Sequence, residues 1–537
     1  MDIPRILTLP DELLEAIVYY LGPEDTVACG LTCRQLNTIT HEPLVWRRHC
    51  RQTWRHWKED DAFEERLRRP PAQTKWQLLF SQRTELDQEN SEIFNTMLQE
   101  QSKRVERMDE LAKNSYGVKD LLLQLRDETP DNAEDVLARR YYAAAVLGMI
   151  HRRVALDKWK RLQQRQMISL EEVLGAFDMF VLNGTKGDLT DMAKELDRLA
   201  EAIRARDPDF DESPVRRKAC QIAKYLRAEQ LVGNPDTDNY HALRNNFISM
   251  ALFEDPHTSL PLQSAAIYCA VARRLGVNAK PSNFPMHVHV VIEAPANETL
   301  DGQLKASPLP GVEQEPELMH IDPWRSSTEV SRSELTTRLS QMGAPAAQHA
   351  HHLGATSTLE IVNRTGRNIM NSVQHVRDHF RGTRHPVSDP DVEGAWYAML
   401  WSMVLLGQPT HAGTMHTRRQ CLPYLIEHWQ MHFPEDLGLI RDVLAPMFQG
   451  EGEQDAFGRI IETAHASDRN KPAPSPRTAA ASGVQFRIGQ HFRHKRYLYQ
   501  GVIVGWDVRC GAEPRWIQQM RVDDLPQGRE QPFYNVM

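Results

Sequence analysis

The side chains in this sequence that could do chemistry fall into a few groupings. Seven cysteines (Cys29, Cys33, Cys50, Cys220, Cys269, Cys421 and Cys510) supply thiols, and no two of them form a CxxC pair. An odd, sparse set of this kind suits a reducing compartment rather than a disulfide framework. His349, His351 and His352 cluster in an Ala/Gln-rich stretch. They lack the i,i+4 spacing that puts two imidazoles on one helix face, so they read as a solvated loop and no metal is expected there. His287 and His289 alternate with Val288 and Val290 in a run that continues through Val291 and Ile292, the pattern of a strand. Near the end, Arg493, Lys495 and Arg496 precede Trp506 and Trp516. Residues 484–537 hold eight Lys/Arg against five Asp/Glu, a local excess of three positive charges. Cationic side chains on an aromatic-bearing β surface could hold nucleic acid through phosphate contacts. A peptide-binding surface or a solvated strand face is the competing reading.

The whole chain bounds these options. Its 537 residues exceed one core and suggest about three domains at roughly 150 residues each. With 41% hydrophobic and 25% charged residues the composition is that of a soluble globular protein. A net charge of −8 argues against a chain-wide nucleic-acid or membrane role. The start, Met1-Asp2-Ile3-Pro4-Arg5, has no apolar leader, and the apolar run Ala143 to Ile150 is far short of a membrane span. The expectation is a soluble intracellular protein of cytoplasm or nucleus, without a membrane partner and without a cofactor.

Several elements must position these groups. Leu9-Pro10-Asp11 opens a helix whose stripe is Leu13, Leu14, Ile17, Val18 and Leu21. Gly22-Pro23 stops it, and Asp25 can cap a second helix carrying Val27, Leu31 and Leu36. A third segment holds Leu44, Val45 and Trp46. A charged helical stretch follows, with Trp54, Trp57 and Trp76 placed to pack it on the first unit, and Pro130-Asp131 starts a further helix. Helices are predicted over 169–182, 188–205 and 214–231, and a second strand over Leu318 to Ile321. Residues 295–318 read as a surface insertion. Helices return over 355–465 around Trp396, Trp401 and Trp429, and 467–483 is a Pro/Ala/Ser-rich linker. Val502 to Trp506 then reads as a strand.

The first fifty residues resemble an F-box. Ile6 to Ile17 matches its opening, Leu31-Thr32-Cys33-Arg34-Gln35-Leu36-Asn37 its middle and Pro43 to Cys50 its close. A unit of about forty residues buries too little apolar surface to stand alone, so exposed leucines need a partner. The resemblance implies that this partner is a Skp-type adaptor and, through it, a cullin. Leu9, Pro10, Leu13, Leu14, Ile17, Leu31 and Trp46 are the positions expected to make or support that contact.

Residues 240–325 resemble a SirB-type transglutaminase-like domain. Asn239 to Ile248 looks like its lead-in, Leu260 to Tyr268 its central helix, and Ala272 to Val277 and Phe284-Pro285-Met286-His287 follow in order. Related enzymes use a Cys-His-Asp set, in which a helix N-terminus and an imidazole activate the thiol. The resemblance gives His287 (or His289, on the same strand face) and Asp322 as the second and third members. The helix start, Leu260-Pro261-Leu262-Gln263-Ser264, carries no thiol. Cys269 comes about two turns later, where such a helix is buried, and Ser264 sits one turn in. A non-catalytic remnant is therefore expected, with His287 and Asp322 vestigial and serving the core or an inherited groove.

Residues 484–537 resemble the YccV/HspQ, or hemimethylated-DNA-binding, module. Phe486 to Gln490, Arg493 to Tyr497, Tyr499 to Asp507, Trp516 to Met520 and Gln531 to Tyr534 carry the likeness. Family strands continue past the Pro-Phe-Tyr motif, whereas the sequence stops at Met537. A barrel without its last strands would expose an edge, so the expectation is that another segment fills the gap, that the module is unstable, or that the sequence is cut short.

The fold class expected is multidomain and mainly α. Its parts are a three-helix F-box (1–55), a helical linker (56–167), an α+β transglutaminase-like domain (168–345), a helical region (346–466), a flexible linker (467–483) and a small β-barrel-like module (484–537). The domain order implies a substrate receptor of a Skp–cullin–F-box ubiquitin ligase with protein targets. A DNA-associated factor acting through the last module is the alternative.

Overall fold

The computed structural model describes residues 5–133, 135–182, 186–233, 239–305, 316–379, 390–407, 411–471, 483–495, 497–512 and 514–537. Four helices make the N-terminal unit: α1 Asp11–Val18, α2 Pro23–Gly30, α3 Arg34–Thr40 and α4 Pro43–Thr53. Sequence periodicity predicts three, because it joins Val27, Leu31 and Leu36 into one helix. The chain instead breaks at Cys33, which is extended (φ −157°, ψ 165°). Gly30 ends α2 where α3 crosses it, and a Cβ there would lie 2.5 Å from Thr40 Oγ1. Asp25 lies in the first turn of α2 instead of capping it, since Pro23 already occupies the start behind Gly22.

The core of this unit is small: Leu14, Val18, Ile39 and Val45, with Leu9, Leu21, Cys29 and Leu36 half-buried around them. Trp46 and Cys50 on the far face of α4 join Phe63, Trp76 and Leu79 in a second cluster. That cluster fastens the unit to α5 Phe63–Arg68 and α6 Trp76–Gln99. The expected tryptophan packing is observed. Trp54 and Trp76 are buried, and Trp57 stacks on Phe63 at 4.2 Å between ring centroids.

Helices α7 Arg104–Lys113, α8 Lys119–Asp127 and α9 Val136–Gln163 continue the chain. α9 begins at Val136, beyond the proline signal at Pro130. Then come α10 Leu170–Asp178, α11 Leu189–Arg206, α12 Val215–Ala228, α13 Ile248–Phe253 and α14 Pro261–Arg274. α14 is buried from Pro261 through Ala272, as an almost uniformly apolar helix must be. Antiparallel strands β1 Ala279–Pro281, β2 Val290–Glu293, β3 Leu318–Ile321 and β4 Glu329–Val330 pair in chain order beside it.

Helices α15 Arg332–Gln341, α16 His349–Leu353, α17 Thr358–His379, α18 Val392–Leu406, α19 His411–His432, α20 Leu437–Leu439 and α21 Gln454–Arg469 follow. One continuous cluster of buried apolar residues runs from Ala155 to Phe457, so the sheet shares its core with helices on both sides in sequence. Trp401 and Trp429 lie within it, while Trp396 is half-buried under Arg377. α9 is tied to the turn after α19 by a buried ion pair, with Arg152 Nε 2.5 Å from Asp436 Oδ2. The C-terminal strands β5 His491–Arg493, β6 Gln500–Asp507 and β7 Phe533–Val536 form an antiparallel sheet with β6 central, and α22 Pro514–Gln519 lies between β6 and β7 in sequence. Among the described residues no helix is long and apolar enough to cross a membrane.

Candidate functional site

Two places in the molecule stand out. The first is the surface of α1–α4. Its core uses one stripe of each short helix and leaves the rest of the apolar side chains outside: Leu13, Ile17, Val27, Leu31 and Leu44 are 42–81% exposed. For residues of this type gathered on one small unit, that is an unpaired apolar surface. Of the residues expected here, Leu13, Ile17 and Leu31 are on this surface, Pro10 is exposed at the start of α1, and Leu9 is half-buried. Leu14 (1% exposed) and Trp46 (4%) belong to the interior, where they can support that surface but not line it. The Trp46 indole is further fixed by donating to the Thr40 carbonyl at 2.7 Å. Val27 and Leu44 are the additions. Both were legible as apolar residues, but which of them a four-helix unit buries depends on how its helices cross.

The second place is the end of the β2–β3 ladder. Val290 pairs with Ile321, so the residues just before β2 and just after β3 meet at the same edge of the sheet. His287 and His289 therefore precede the strand instead of lying on it, and Asp322 follows β3 directly. His287 Nε2 is 2.9 Å from Asp322 Oδ2, and His289 Nε2 is 3.8 Å from the same oxygen. Burial acts to raise the Asp322 carboxyl, yet the His287 bond and the charges of His287, His289 and Arg325 hold it below its ordinary value. Burial pushes His289 down to about 3. Met286 precedes this pair at φ +63°, a left-handed conformation that a side chain of this kind seldom adopts.

The loop beyond Asp322 is held firmly. Trp324 packs edge-on against His287 at 5.6 Å between centroids, and its indole donates to the Ser259 carbonyl at 2.8 Å. Arg227 Nη1 donates to the Trp324 carbonyl at 2.6 Å. Sequence reading passed over Ser259, Arg227 and Trp324 as contributors because their roles need loops far apart in the chain to meet.

The nucleophile candidates are placed elsewhere. Ser264 is fully buried, its hydroxyl 2.7 Å from Ser259 Oγ and accepting the Gly233 N–H at 3.0 Å. Cys269 is buried on α14, and burial pushes its thiol up, away from the reactive thiolate. Neither feature prepares a nucleophile. His349, His351 and His352 fall on the short helix α16 rather than in a loop. His349 Nε2 lies 3.0 Å from the Ala344 carbonyl and His351 Nε2 2.6 Å from Asn283 Nδ2.

Family comparisons agree with this layout. An F-box-like family matches residues 6–52, the transglutaminase-like superfamily residues 190–367, and the hemimethylated DNA-binding protein YccV-like family residues 484–537. The chain carries all three, in that order. It is similar to F-box only protein 21 of Homo sapiens, 23% identical over 75% of this chain and 63% of that protein. F-box only protein 21 of Mus musculus is 24% identical over 58% of this chain and 46% of that protein. The chain thus matches less than two thirds of the length of these curated relatives. No solved structure matches it.

In the YccV-like module Arg493 and Lys495 are exposed, on and just after β5, Trp506 is half-buried on β6 opposite Tyr534, and Trp516 is exposed on α22. Arg496 lies outside the described residues. Three of the expected contact residues are therefore open to solvent, and Trp506 is partly covered by its cross-strand neighbour.

Proposed function

We propose that this protein is a substrate receptor of a Skp–cullin–F-box ubiquitin ligase, docking the adaptor through α1–α4 and holding target proteins with the rest of the chain. The observation that carries the proposal is the exposure of Leu13, Ile17, Val27, Leu31 and Leu44 on the F-box-like unit. An apolar surface of this kind gains free energy when a partner covers it, at about 25 cal/mol per Å². The name shared by the relatives, F-box only protein 21, supports the same reading. Ubiquitin transfer would belong to other subunits. The transglutaminase-like domain, with Ser264 locked in place and Cys269 buried, would act in binding.

The test is affinity purification of the full chain beside a Leu13→Ala/Leu31→Ala variant. The wild type should bring down a Skp-type adaptor and a cullin, and the variant should lose them by about tenfold or more. Equal recovery with both chains, or recovery with neither, would overturn the proposal. A second reading, DNA association, draws on the exposed Arg493 and Lys495. It requires salt-sensitive binding of duplex DNA by the full chain that weakens in Arg493→Ala/Lys495→Ala.

A further inference from the structure

The geometry points to a divalent metal site of the zinc type at the end of the β2–β3 ladder, formed by His287, His289 and Asp322. One donor atom from each residue lies within 4.8 Å of the other two. Four-coordinate zinc with ligands near 2.0–2.1 Å holds its donors about 3.3 Å apart. The measured separations to Asp322 Oδ2, 2.9 Å from His287 and 3.8 Å from His289, bracket that spacing. Small side-chain rotations would bring all three onto one ion.

A second observation asks for a ligand. His289 is 0% exposed, and neither of its ring nitrogens has a hydrogen-bond partner among the described residues. Buried imidazoles are normally paired, and an ion shared with Asp322 would give Nε2 the partner that it lacks. The surroundings also suit a metal. The Arg325 backbone N–H donates to Asp322 Oδ1 at 3.3 Å, and Oδ2 faces His287 and His289, with Arg325 Nε farther off at 4.0 Å. Trp324 and Phe284 pack edge-on against His287 and His289 and limit their ring orientations. His287 keeps 14% side-chain exposure, which gives an ion a way in and leaves a coordination position open to water or a bound side chain. Two imidazoles and one carboxylate favour zinc or its first-row neighbours over calcium or magnesium.

Among the described residues a second histidine–carboxylate grouping has other partners at Glu393 and His428. Glu393 receives Arg377 Nη2 at 2.7 Å, and His428 Nε2 lies 2.9 Å from the Glu393 carbonyl, so His428, His432 and Glu393 serve as the comparison.

The full chain, stripped with a chelator and loaded with Zn²⁺ or Co²⁺ alone, tests this. The wild type should retain about one ion per chain through gel filtration, and the Co²⁺ form should show the visible absorption of a four-coordinate ion. His287→Ala and Asp322→Asn should each weaken binding by more than about tenfold, while His432→Ala should leave it unchanged. His287 is partly exposed, so that variant should fold even if a His289→Gln chain does not. No retained metal in the folded wild type, equal retention by His287→Ala, or loss confined to His432→Ala would each overturn the assignment.

Discussion

His287 Nε2 lies 2.9 Å from Asp322 Oδ2 because Val290 and Ile321 are cross-strand partners, which brings the residue run before β2 against the residue after β3. The two nucleophile candidates of this region, Ser264 and Cys269, are both buried. Ser264 is bonded to Ser259 and Gly233, and Cys269 is buried on α14. The transglutaminase-like domain keeps the geometry of an acid–imidazole pair without an activated thiol beside it.

That arrangement sets an expectation for thiol chemistry. In the native chain a thiol-directed alkylating reagent should modify the partly exposed Cys33 and Cys510 well before Cys269, whose thiol burial pushes up. Peptide mapping by mass spectrometry after timed labelling gives the order. A His287→Ala substitution should leave Cys269 labelling unchanged, and early labelling of Cys269 that depends on His287 would restore an enzymatic reading.

The N-terminal unit separates stability from docking. Leu14→Ala removes a buried side chain from a core of four fully buried apolar residues and should cost about 2–5 kcal/mol. Leu31→Ala touches a side chain that is 81% exposed and should stay within about 0.5 kcal/mol. Urea denaturation followed by tryptophan fluorescence measures both. A large loss for Leu31→Ala would mean that its surface is already covered within the chain.

Arg152 joins α9 to Asp436 and to Glu435, at 2.5 Å and 3.0 Å. Arg152→Met leaves buried carboxylates without their cation and should cost about 3–5 kcal/mol. Pairing it with Asp436→Leu should recover much of that loss. Thermal unfolding of the two variants decides it, and equal losses in both would show that the cation is not what holds the turn.

Asp178 provides a pH expectation. Burial raises its pKa to about 7, although it accepts the Ser249 N–H at 2.6 Å. The folded state therefore holds a proton that the unfolded state, with an ordinary carboxylate, releases near pH 4. Stability from this group is complete below about pH 4 and is lost as pH rises toward 7, at up to about 1.4 kcal/mol per pH unit. Asp178→Asn should flatten that part of the profile and make the chain more stable at neutral pH. Denaturation curves between pH 4 and 8 check it, and parallel profiles for both chains would refute the assignment.

Much of the architecture was already decided by local sequence. Pro23 and Pro43 suit the first turn of a helix, the β-branched run Val290 to Ile292 suits a buried strand, and α14 is apolar along most of its length. The order of family-like segments and the missing thiol at Leu260 to Ser264 were legible in the sequence, and the pairing of an imidazole with Asp322 was implied by the resemblance to transglutaminase-like enzymes. What local pattern could not assign is which apolar residues a small unit leaves outside. Leu13 and Leu14 are adjacent and chemically identical, yet only the crossing of α1 with α3 and α4 decides that Leu14 is buried and Leu13 is exposed. The position of His289 beside Asp322 is likewise a product of strand register, since 32 intervening residues carry no signal of which ends meet. Side-chain type is fixed by the sequence, whereas partnership between distant side chains is fixed by long-range packing, and the candidate sites of this protein are made of the second.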